Sequence, residues 1–525
     1  MECTCIRQTE LPHATKLFTD LVYHPDRVRA FYPFPPYDPE SYAAAAAQID
    51  LSAERRAALV AVLHEQNGPS ASLDRLAQPG TVAVVTGQQV GLFSGPAYTI
   101  YKALTAARLA SELTSRGIPA VPVFWLATED HDFAEVNHAF VFDVGHRPVK
   151  LEIETAAAPN QPVGEIRLGS VPIDDLRAAL RELPFGAETA DRVAMAYRPG
   201  RTMGEAFGAL LRDLLGAYDI LHIDPMAPTV RELAAPLIRK ALAQAPELKR
   251  LVMERNRQLT AAGYHAQVHV EDETSFFFLL ENGRRIALRK QNGNYLSQDS
   301  RFSPEQLMER ATRISPNALL RPVVQDFMLP TVAYIGGPAE LAYLAQSDVL
   351  YRELLGRRPV AMHRSGFTVL DRRSRKLLDR YGLCLPDFFR GEAALRERVA
   401  AALVPSGLTG VLEETRNAVG QNVQRLEGEL ARFDPTLDTA VRRSYNKIAY
   451  QLSKIERKVA REMLARDERA SRDTAYINGL IYPNKHLQER FYSIVPLLAK
   501  HGPDLIGQLY EGIHLECPDH QMLVV

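Results

Sequence analysis

The fold follows from one stretch of the sequence, Val82-Ala-Val-Val-Thr-Gly-Gln-Gln-Val-Gly-Leu-Phe-Ser-Gly-Pro-Ala-Tyr-Thr-Ile-Tyr-Lys102. Residues 82–85 form a short apolar β-branched run, which is typical of a buried strand. A glycine-rich loop follows, and Pro96 suits the first residue of a helix that continues to about Ser115. The order of strand, loop and helix predicts backbone N–H groups that point at an anion. The glycine spacing matches neither GxGxxG nor GxxxxGK[ST], so it does not by itself define a nucleotide loop.

A second strand and further apolar runs extend this unit into a parallel sheet. Residues 121–126 form another buried run after the helix. A strand–helix–strand unit of this kind joins parallel strands through a right-handed crossover. Similar runs occupy residues 219–224, 331–335 and 359–363, which gives about five candidate strands. We therefore predict an α/β protein with a parallel sheet core.

The bulk properties are those of a soluble protein with several domains. A chain of 525 residues is too long for one simple core, and 46% hydrophobic with 24% charged residues is an ordinary composition. The net charge of −1 argues against a dedicated nucleic-acid binder. The four cysteines form neither a disulfide framework nor a pair of CxxC motifs for structural zinc. Neither a secretory signal nor a membrane span is visible, so we expect a cytoplasmic protein without a membrane partner.

Changes in hydrophobic period divide the chain into core segments and insertions. From His265 the period becomes two, in the runs 266–270, 276–280 and 284–288, with a hairpin signal at Glu281-Asn-Gly-Arg284. The predicted division is 1–145 for N-terminal helices and the first half of the core, 146–200 for an insertion, 201–264 for the continued core, 265–312 for a small antiparallel insertion, 313–388 for the second half of the core, 389–480 for a helical hairpin, and 481–525 for a segment that returns to the core.

Apolar residues recur at steps of three and four in the last third of the chain. They predict two helices of an antiparallel coiled-coil hairpin, joined by a short turn at Asp434-Pro-Thr. The residues are Val419, Val423, Leu426, Leu430, Phe433, Val441, Tyr445, Ile448, Leu452, Ile455 and Val459. The exposed face of this hairpin is a candidate dimer surface. The alternative is a hairpin that packs only on its own chain.

Polar residues follow the first two strands, where parallel sheets usually bind ligands. Gln88 and Gln89 follow the tight turn at Gly87 and are suited to hold a carboxylate or phosphate. The alternative is that their amides only satisfy the backbone of the turn. Lys102, on the following helix, is either a phosphate ligand or a solvated lysine.

Three carboxylates and an imidazole directly follow the second strand, in Glu129-Asp-His-Asp132. Like charges this close need a cation, an amine or a metal to offset them. We interpret the cluster as a grip for an ammonium group or as a general base. Helix N-capping by Asp130 or Asp132 is the structural alternative. A metal site from His131, His138 and an acid is a further alternative.

Two more polar groups follow later strands. Gly336-Gly-Pro-Ala-Glu340 repeats the order of strand, glycine and helix, and it would close the same pocket. Arg364-Ser-Gly366 follows the last core strand, and Asn484, Lys485 and Arg490 lie beyond the helical hairpin. Together these last two groups would supply phosphate-binding donors in a second pocket, although each taken alone also fits ordinary surface charge.

With these segments identified, the sequence resembles the cysteine ligase family of bacillithiol biosynthesis, the BshC family. The motifs that carry the resemblance are Thr86-Gly-Gln-Gln-Val-Gly-Leu-Phe-Ser-Gly-Pro96, Phe124-Trp-Leu-Ala-Thr-Glu-Asp-His-Asp132 with Glu135 and His138, Ser315-Pro-Asn with Arg321-Pro, Tyr334-Ile-Gly-Gly-Pro-Ala-Glu340, and Pro483-Asn with Gln488-Glu-Arg490. They cover nearly the whole chain in the family's order.

The resemblance implies a Rossmann-like core related to class I aminoacyl-tRNA synthetases, with connecting-peptide insertions and a coiled coil that forms a homodimer. It implies a ligase that joins cysteine to the glucosamine amine of glucosaminyl-malate, with ATP as the expected cofactor and Mg²⁺ as its candidate companion. It also implies that a nucleotide such as ADP binds a second pocket. This chain lacks the synthetase HIGH and KMSKS motifs, so the resemblance leaves the chemistry of activation open.

On this hypothesis the candidate residues take three roles. Asp130, His131 and Asp132 orient the amines or take the proton. The substrate-binding candidates are Gln88, Gln89, Gly91, Ser94, Gly95, Trp125, Glu129, Tyr334, Gly336, Gly337 and Glu340. The nucleotide-binding candidates are Arg364, Ser365, Gly366, Asn484, Lys485 and Arg490. No protein metal ligand is assigned.

Two other functions remain open from the sequence. The chain could be a nucleotide-binding dimeric scaffold whose coiled coil docks another enzyme of the pathway. It could also be a synthetase-like ligase for another amino acid, because no thiol-selective zinc site is evident and cysteine specificity rests on the resemblance alone.

Overall fold

Most strands precede residue 371, and helices form most of the chain after it. The computed structural model describes residues 3–154, 157–297, 300–434 and 437–525. The strands are β1 Cys3–Ile6, β2 Val82–Gln89, β3 Ala120–Ala127, β4 His138–Phe142, β5 Pro148–Glu152, β6 Leu221–Ile223, β7 Phe277–Glu281, β8 Arg284–Ala287, β9 Arg289–Gln291, β10 Asn294–Leu296, β11 Arg301–Phe302, β12 Ile314–Pro316, β13 Thr331–Gly336, β14 Val360–His363, β15 Gly366–Leu370 and β16 His520–Val524. The α-helices are α1 Lys16–Tyr23, α2 Pro39–Ala46, α3 Ala53–Asn67, α4 Ala71–Leu76, α5 Tyr98–Ser115, α6 Phe133–Val136, α7 Ile173–Leu180, α8 Gly186–Ala196, α9 Met203–Leu215, α10 Pro228–Ala243, α11 Ala245–Ala261, α12 Pro304–Glu309, α13 Arg321–Met328, α14 Pro338–Leu355, α15 Arg372–Tyr381, α16 Leu385–Phe389, α17 Glu392–Ala402, α18 Ser406–Phe433, α19 Asp438–Arg466, α20 Glu468–Ile481, α21 Gln488–Phe491, α22 Val495–His501 and α23 Leu505–Glu511.

The core is a parallel sheet of the order β14-β13-β2-β3-β6, which has five strands within the described residues. Helix α5 connects β2 to β3, and α14 connects β13 to β14. Along β3, Phe124 packs into one hydrophobic core, whereas Val123 and Trp125 pack into another. Because helices cover both faces, the strands are apolar throughout rather than alternating. The predicted parallel α/β core is confirmed.

The opening unit differs in detail from the prediction. Strand β2 continues past the predicted end to Gln89, and α5 begins at Tyr98 rather than at Pro96. Pro96 instead forms a β-bridge with Ser493, and the N–H of Ala97 donates to the carbonyl of Tyr492 over 2.7 Å. The C-terminal segment therefore occupies the start of this helix.

The predicted insertions contribute strands to small antiparallel elements. Strands β4 and β5 pair with each other, and β7 pairs with both β8 and β12. The predicted strand at 266–270 is wrong, because these residues adopt neither helix nor strand. There the side chain of Gln346 accepts from the N–H of Val268 and donates to its carbonyl, each over 2.8 Å, so a side chain replaces a partner strand.

The last third of the chain contains the predicted coiled-coil hairpin. Helices α18 and α19 pack against each other, with Arg416 donating to Glu456 over 2.7 Å and Gly420 lying beside Tyr445. From the first pair to the second, the residue number rises along α18 and falls along α19. The predicted antiparallel arrangement is therefore confirmed. No helix in the described parts of the chain is long and apolar enough to cross a membrane.

The C-terminal strand joins the two ends of the chain. Strand β16 lies between β1, to which it is antiparallel, and β15, to which it is parallel. The short helix α21 packs on β15. The predicted return of the C-terminal segment to the core therefore places Gln488–Phe491 beside the sheet.

Candidate active site

A cavity of about 500 Å³ opens at the carboxyl ends of β2, β3 and β13. This is the edge at which parallel α/β sheets bind ligands, and the volume suits a small-molecule site. Its wall consists of Gly87, Gln88, Gln89, Tyr98, Lys102, Trp125, Ala127, Glu129, Asp130, Phe278, Arg285, Pro316, Asn317, Ala318, Arg321, Tyr334, Gly337, Pro338, Ala339, Glu340, Tyr343, Arg364 and Arg490.

The structure brings together about half of the residues that the sequence predicts for the site. Those in the wall are Gln88, Gln89, Trp125, Glu129, Asp130, Tyr334, Gly337, Glu340, Arg364 and Arg490. Those outside it are Gly91, Ser94, Gly95, His131, Asp132, Gly336, Ser365, Gly366, Asn484 and Lys485. Residues from both predicted pockets thus share one cavity, since Arg364 and Arg490 lie in the same wall as the glutamines.

The glycine loop lies behind the wall because its polar groups contact other parts of the protein. The hydroxyl of Tyr197 donates to the carbonyl of Gly91 over 2.8 Å and accepts from the N–H of Ser94 over 3.3 Å. Gly95 has φ +65°, which favours glycine at the turn. This loop therefore supports the strand end and does not face the cavity.

The residues of the second predicted pocket are also dispersed. The N–H of Ser365 donates to Thr105, and Gly366 packs against His520 and Glu489 within β15. Asn484 and Lys485 are exposed in a short 3₁₀ helix, Pro483–Lys485. These side chains do not meet Arg364 at a pocket of their own among the described cavities.

Lys102 is buried and holds one side of the cavity together. Its ammonium group pairs with Glu340 and donates to the side chain of Gln88 over 2.8 Å. Glu340 also accepts from the hydroxyl of Tyr334 over 2.8 Å and from the N–H of Gly337 over 2.8 Å. Burial alone would raise the pKa of Glu340, but Lys102 and these hydrogen bonds outweigh it and lower that pKa. A charged carboxylate is therefore fixed at the start of α14.

The two glutamines have different hydrogen-bond partners. Gln88 accepts from Lys102 and donates to the hydroxyl of Tyr98 over 3.3 Å. Gln89 donates to Asp130 over 2.6 Å and to Glu135 over 3.0 Å. Both amides thus connect the end of β2 to neighbouring elements, in addition to lining the cavity.

Asp130 alone of the three predicted catalytic residues lies in the wall. It accepts from Gln89 and from the N–H of His131, and Arg285 lies 3.9 Å away. Burial raises its pKa, but these groups outweigh burial, so the pKa of Asp130 is lowered. Asp132 accepts from the N–H of Glu135 over 3.2 Å, which is the N-cap geometry of the structural alternative.

His131 lies outside the wall but contacts three wall residues, Arg285, Asp130 and Phe278. Its Nδ1 lies 3.1 Å from Nη1 of Arg285. Since a guanidinium only donates, Nδ1 is the acceptor and the proton of the neutral ring is on Nε2. Burial and the charge of Arg285 both lower the pKa of His131, which keeps the ring neutral.

Arg285 was missed by the sequence analysis, although it connects several residues of the cavity wall. It donates to Ser315 over 2.9 Å and to the carbonyl of Pro316 over 2.9 Å, and it stacks on Phe278. Ser315 in turn donates to Glu129 over 2.7 Å. The hairpin signal at 281–284 located this element, but no local pattern indicates which of its arginines turns inward.

Two arginines in the wall lack a carboxylate partner. Arg321 donates to the hydroxyls of Tyr334 and Tyr343 over 3.3 and 3.0 Å. Within the described residues, neither Arg321 nor Arg490 forms an ion pair. Arg364 instead forms a buried double hydrogen bond with Glu489, at 2.9 and 2.5 Å. Arg321 and Arg490 are therefore the cations suited to attract an anionic ligand.

The fold and the cavity define a Rossmann-like protein with a helical coiled coil and a ligand site at the carboxyl edge of its sheet. Two family models match the chain: "Bacillithiol biosynthesis BshC, N-terminal Rossmann-like domain" over residues 1–365 and "Bacillithiol biosynthesis BshC, C-terminal coiled-coil domain" over residues 367–525. The chain belongs to the BshC family. The models divide it between 365 and 367, whereas the finer division into seven segments stays a prediction.

Relatives match over nearly their full length. A protein of Solibacter usitatus is 58% identical over 525 residues and covers 100% of both chains. A protein of Koribacter versatilis is 36% identical and covers 99% of each, and one of Salinibacter ruber is 32% identical over 97% of this chain and 96% of its own. All three carry the name "Putative cysteine ligase BshC".

Proposed function

We propose that this protein is a ligase that joins the carboxyl group of cysteine to the glucosamine amine of glucosaminyl-malate. The observation that carries the proposal is a single cavity with both fixed carboxylates and unpaired arginines, in a chain of the BshC family. The name of the relatives supports cysteine as the activated substrate. Arg321 or Arg490 would receive the carboxylates of the malate group.

ATP is the co-substrate in this proposal. A free carboxylate and an amine do not form an amide in water without activation. The carboxylate of cysteine would attack ATP and release ADP or pyrophosphate, and the amine would then displace phosphate or AMP from the activated carboxyl group. Whichever of Arg321 and Arg490 does not bind malate offers charge-assisted hydrogen bonds to phosphates, whereas Arg364 is held by Glu489. Among the described residues, no cluster of three or more His, Cys, Asp or Glu side chains could hold a metal ion. Mg²⁺ would therefore arrive bound to the phosphates. The need for ATP supports the cytoplasm as the location.

Asp130 would orient the attacking amine. Since its pKa is lowered, it stays charged at neutral pH and accepts a hydrogen bond from that amine. His131, which lies behind Arg285, would hold the guanidinium in place. Neutral, hydrogen-bonded His131 is thus a positioning residue in this scheme.

The test is direct. The purified protein is incubated with ATP, cysteine and glucosaminyl-malate, and the amide product is sought by mass spectrometry. We expect product only with nucleotide present, a strong loss for Asp130→Asn, and full activity for Asp174→Asn, whose carboxylate is exposed on α7. No product with any nucleotide would overturn the proposal. Faster ligation of a different amino acid in competition would replace cysteine as the substrate.

We also propose a homodimer formed through the coiled coil. Helix α18 has no buried residue within its described span. Among the predicted core positions of the hairpin, Leu426, Phe433, Ile448 and Ile455 are 50%, 85%, 43% and 52% exposed. Apolar residues at regular spacing on one face suit a second helical hairpin, and a second copy of this chain offers the same face.

A further inference from the structure

Two buried polar atoms in the cavity wall have no hydrogen-bond partner in the part of the chain that the structure describes. They are Oε1 of Glu129 and the indole Nε1–H of Trp125. The two residues are only 3% and 2% exposed. Buried polar groups almost always have partners, and leaving one without a partner costs about 1–3 kcal/mol. Because both residues line the same cavity, a ligand in it would supply the missing partners.

Both side chains are held in place. The second oxygen of Glu129 accepts from Ser315 over 2.7 Å, and Ser315 accepts from Arg285 over 2.9 Å. Trp125 is paired with Gly87 on the adjacent strand and packs in the apolar core. Glu129 therefore offers an acceptor and Trp125 a donor from fixed positions.

A smaller cavity of about 20 Å³ shares Trp125, Glu129 and Pro316 with the main one. Its remaining wall contains one charged side chain, Arg231, and is otherwise apolar, with Val230, Ala234, Ile238, Val324 and Met328 among its residues. A space of this size holds about one water molecule. A ligand group that enters beside Glu129 and Trp125 must therefore be short and tolerate apolar surroundings, as a thiol does.

We propose that Glu129 and Trp125 form the binding site for the head group of an α-amino acid, with Glu129 accepting from its ammonium group and Trp125 donating to a carboxyl oxygen. The N–H of Trp125 matches the carboxylate of the zwitterion, and the carboxylate of Glu129 matches its ammonium group. Only the identification of this amino acid as cysteine rests on the proposed ligase function.

This assignment explains why only one of the two amines of the reaction acts as the nucleophile. An ammonium group bound to a buried carboxylate is stabilised in its charged form, because the opposite charge favours that form. The α-amine of the bound amino acid then cannot attack an activated carboxyl group. The glucosamine amine approaches Asp130, whose side chain is 31% exposed, so its ammonium form is stabilised less and its proton passes to water before the amine attacks.

The experiment crosses two variants with two analogues. Dissociation constants are measured by calorimetry, with reductant and without ATP or sugar, for cysteine, 3-mercaptopropionate and cysteamine. 3-Mercaptopropionate lacks the ammonium group of cysteine, and cysteamine lacks its carboxylate. We expect the protein to prefer cysteine over each by at least about tenfold. Glu129→Gln should abolish the preference over 3-mercaptopropionate only, and Trp125→Phe the preference over cysteamine only, so each variant is the control for the other.

The results distinguish the site from the reaction. Equal binding of cysteine and either analogue by the unchanged protein would overturn the proposal, even if a variant fails to fold. Unchanged preferences in both variants would overturn it too. Because Trp125 is the only tryptophan of the chain, a change in its fluorescence on adding cysteine gives a second readout. Absence of ligation with these preferences intact would reject the ligase function and retain the site.

Discussion

A Cβ atom on Gly87 would lie 2.8 Å from the carbonyl oxygen of Trp125 and 2.9 Å from its Cβ. Both distances are shorter than ordinary contacts, and both neighbours belong to a rigid adjacent strand. We expect Gly87→Ala to lower the free energy of unfolding by about 1–3 kcal/mol through overpacking. Urea unfolding, followed by the fluorescence of Trp125, measures this change at the cavity itself.

Gly216→Ala is the matched control. Gly216 has φ −54°, and a Cβ there would meet nothing within 4 Å. The change should be neutral or stabilise by about 0.4–1 kcal/mol, because alanine restricts the unfolded chain. Equal losses in the two variants would contradict the steric explanation for Gly87.

The buried pair of Arg364 and Glu489 predicts a pH dependence of stability. Burial raises the pKa of Glu489, but the charge and hydrogen bonds of Arg364 outweigh it and lower the pKa to about 2. Glu489→Gln should destabilise by about 3–5 kcal/mol at pH 7, since it leaves Arg364 buried and unpaired. A lowered folded-state pKa stabilises above the unfolded value, so the difference from the unchanged protein should shrink as the pH falls from about 5 towards 2.

Chemical denaturation of both proteins at pH 7, 5 and 4 measures this difference. Glu462→Gln, an exposed change on α19, should stay within about 0.5 kcal/mol at every pH. A difference for Glu489→Gln that does not vary with pH would show that the pair stabilises through shape and not through charge.

At the residue scale, the sequence predicts the site where polar residues directly follow apolar strands. Gln88, Glu129 and Glu340 were found in this way, because the ends of parallel strands meet at one edge. Arg285 and Arg321 carry no such signal. Their roles depend on contacts with residues distant in sequence, such as Arg285 with His131, which a pattern in one segment does not encode.

At the element scale, the hairpin of β7 and β8 matters because it delivers Arg285 to the cavity. Arg285→Met would remove the donors to Ser315 and Pro316 and release the support of Glu129. We expect the rate of ligation to fall by about 100-fold, because a displacement of substrate-binding groups by about 1 Å has an effect of this size in enzymes. Arg284→Met, one residue earlier and exposed, is the control and should retain activity.

Product formation by mass spectrometry and the melting temperature together test this prediction. Retained ligation in Arg285→Met would exclude Arg285 from positioning the wall. A loss of ligation accompanied by an equal loss in Arg284→Met would point to damage of the hairpin as a whole.

Elements were predictable where hydrophobic patterns are continuous or regularly spaced. The strands of the core are short continuous apolar runs, and the helices of the hairpin keep a regular spacing, so both were confirmed. The run at 266–270 has the alternation of a strand, yet Gln346 satisfies its backbone instead. The start of α5 moved from Pro96 to Tyr98 because the C-terminal segment binds there. Both errors come from contacts between distant segments.

At the scale of the whole molecule, the return of the C-terminal segment decides the shape of the site. Strand β16 pairs with β1 and β15, and Arg490 joins the wall beside Arg364. The sequence separates these residues widely, and the predicted second pocket treated them as a group apart from the glutamines. Amino-acid composition and hydrophobic periodicity describe one segment at a time. They could not show that the residues of the two predicted pockets share one cavity.

The cavity wall contains no described residue of α18 or α19, and the exposed face of this hairpin suits a second copy of the chain. We therefore expect the double variant Leu426→Glu/Ile455→Glu to be monomeric, because each change puts a charge on that face. Its dissociation constant for cysteine should stay within about threefold of the unchanged protein. Analytical ultracentrifugation and calorimetry measure the two properties on the same sample.

Gln424→Glu/Gln451→Glu adds the same charge at exposed polar positions of the two helices and should remain dimeric. If Leu426→Glu/Ile455→Glu is monomeric and still ligates, the hairpin serves assembly and the cavity alone performs the reaction. If it binds cysteine and ligates normally in vitro but thiol production in cells stops, the hairpin has a role in the cell beyond the reaction, which favours the scaffold function. A variant that stays dimeric would place the contact between chains elsewhere, since two charges cannot be buried on this face without partners.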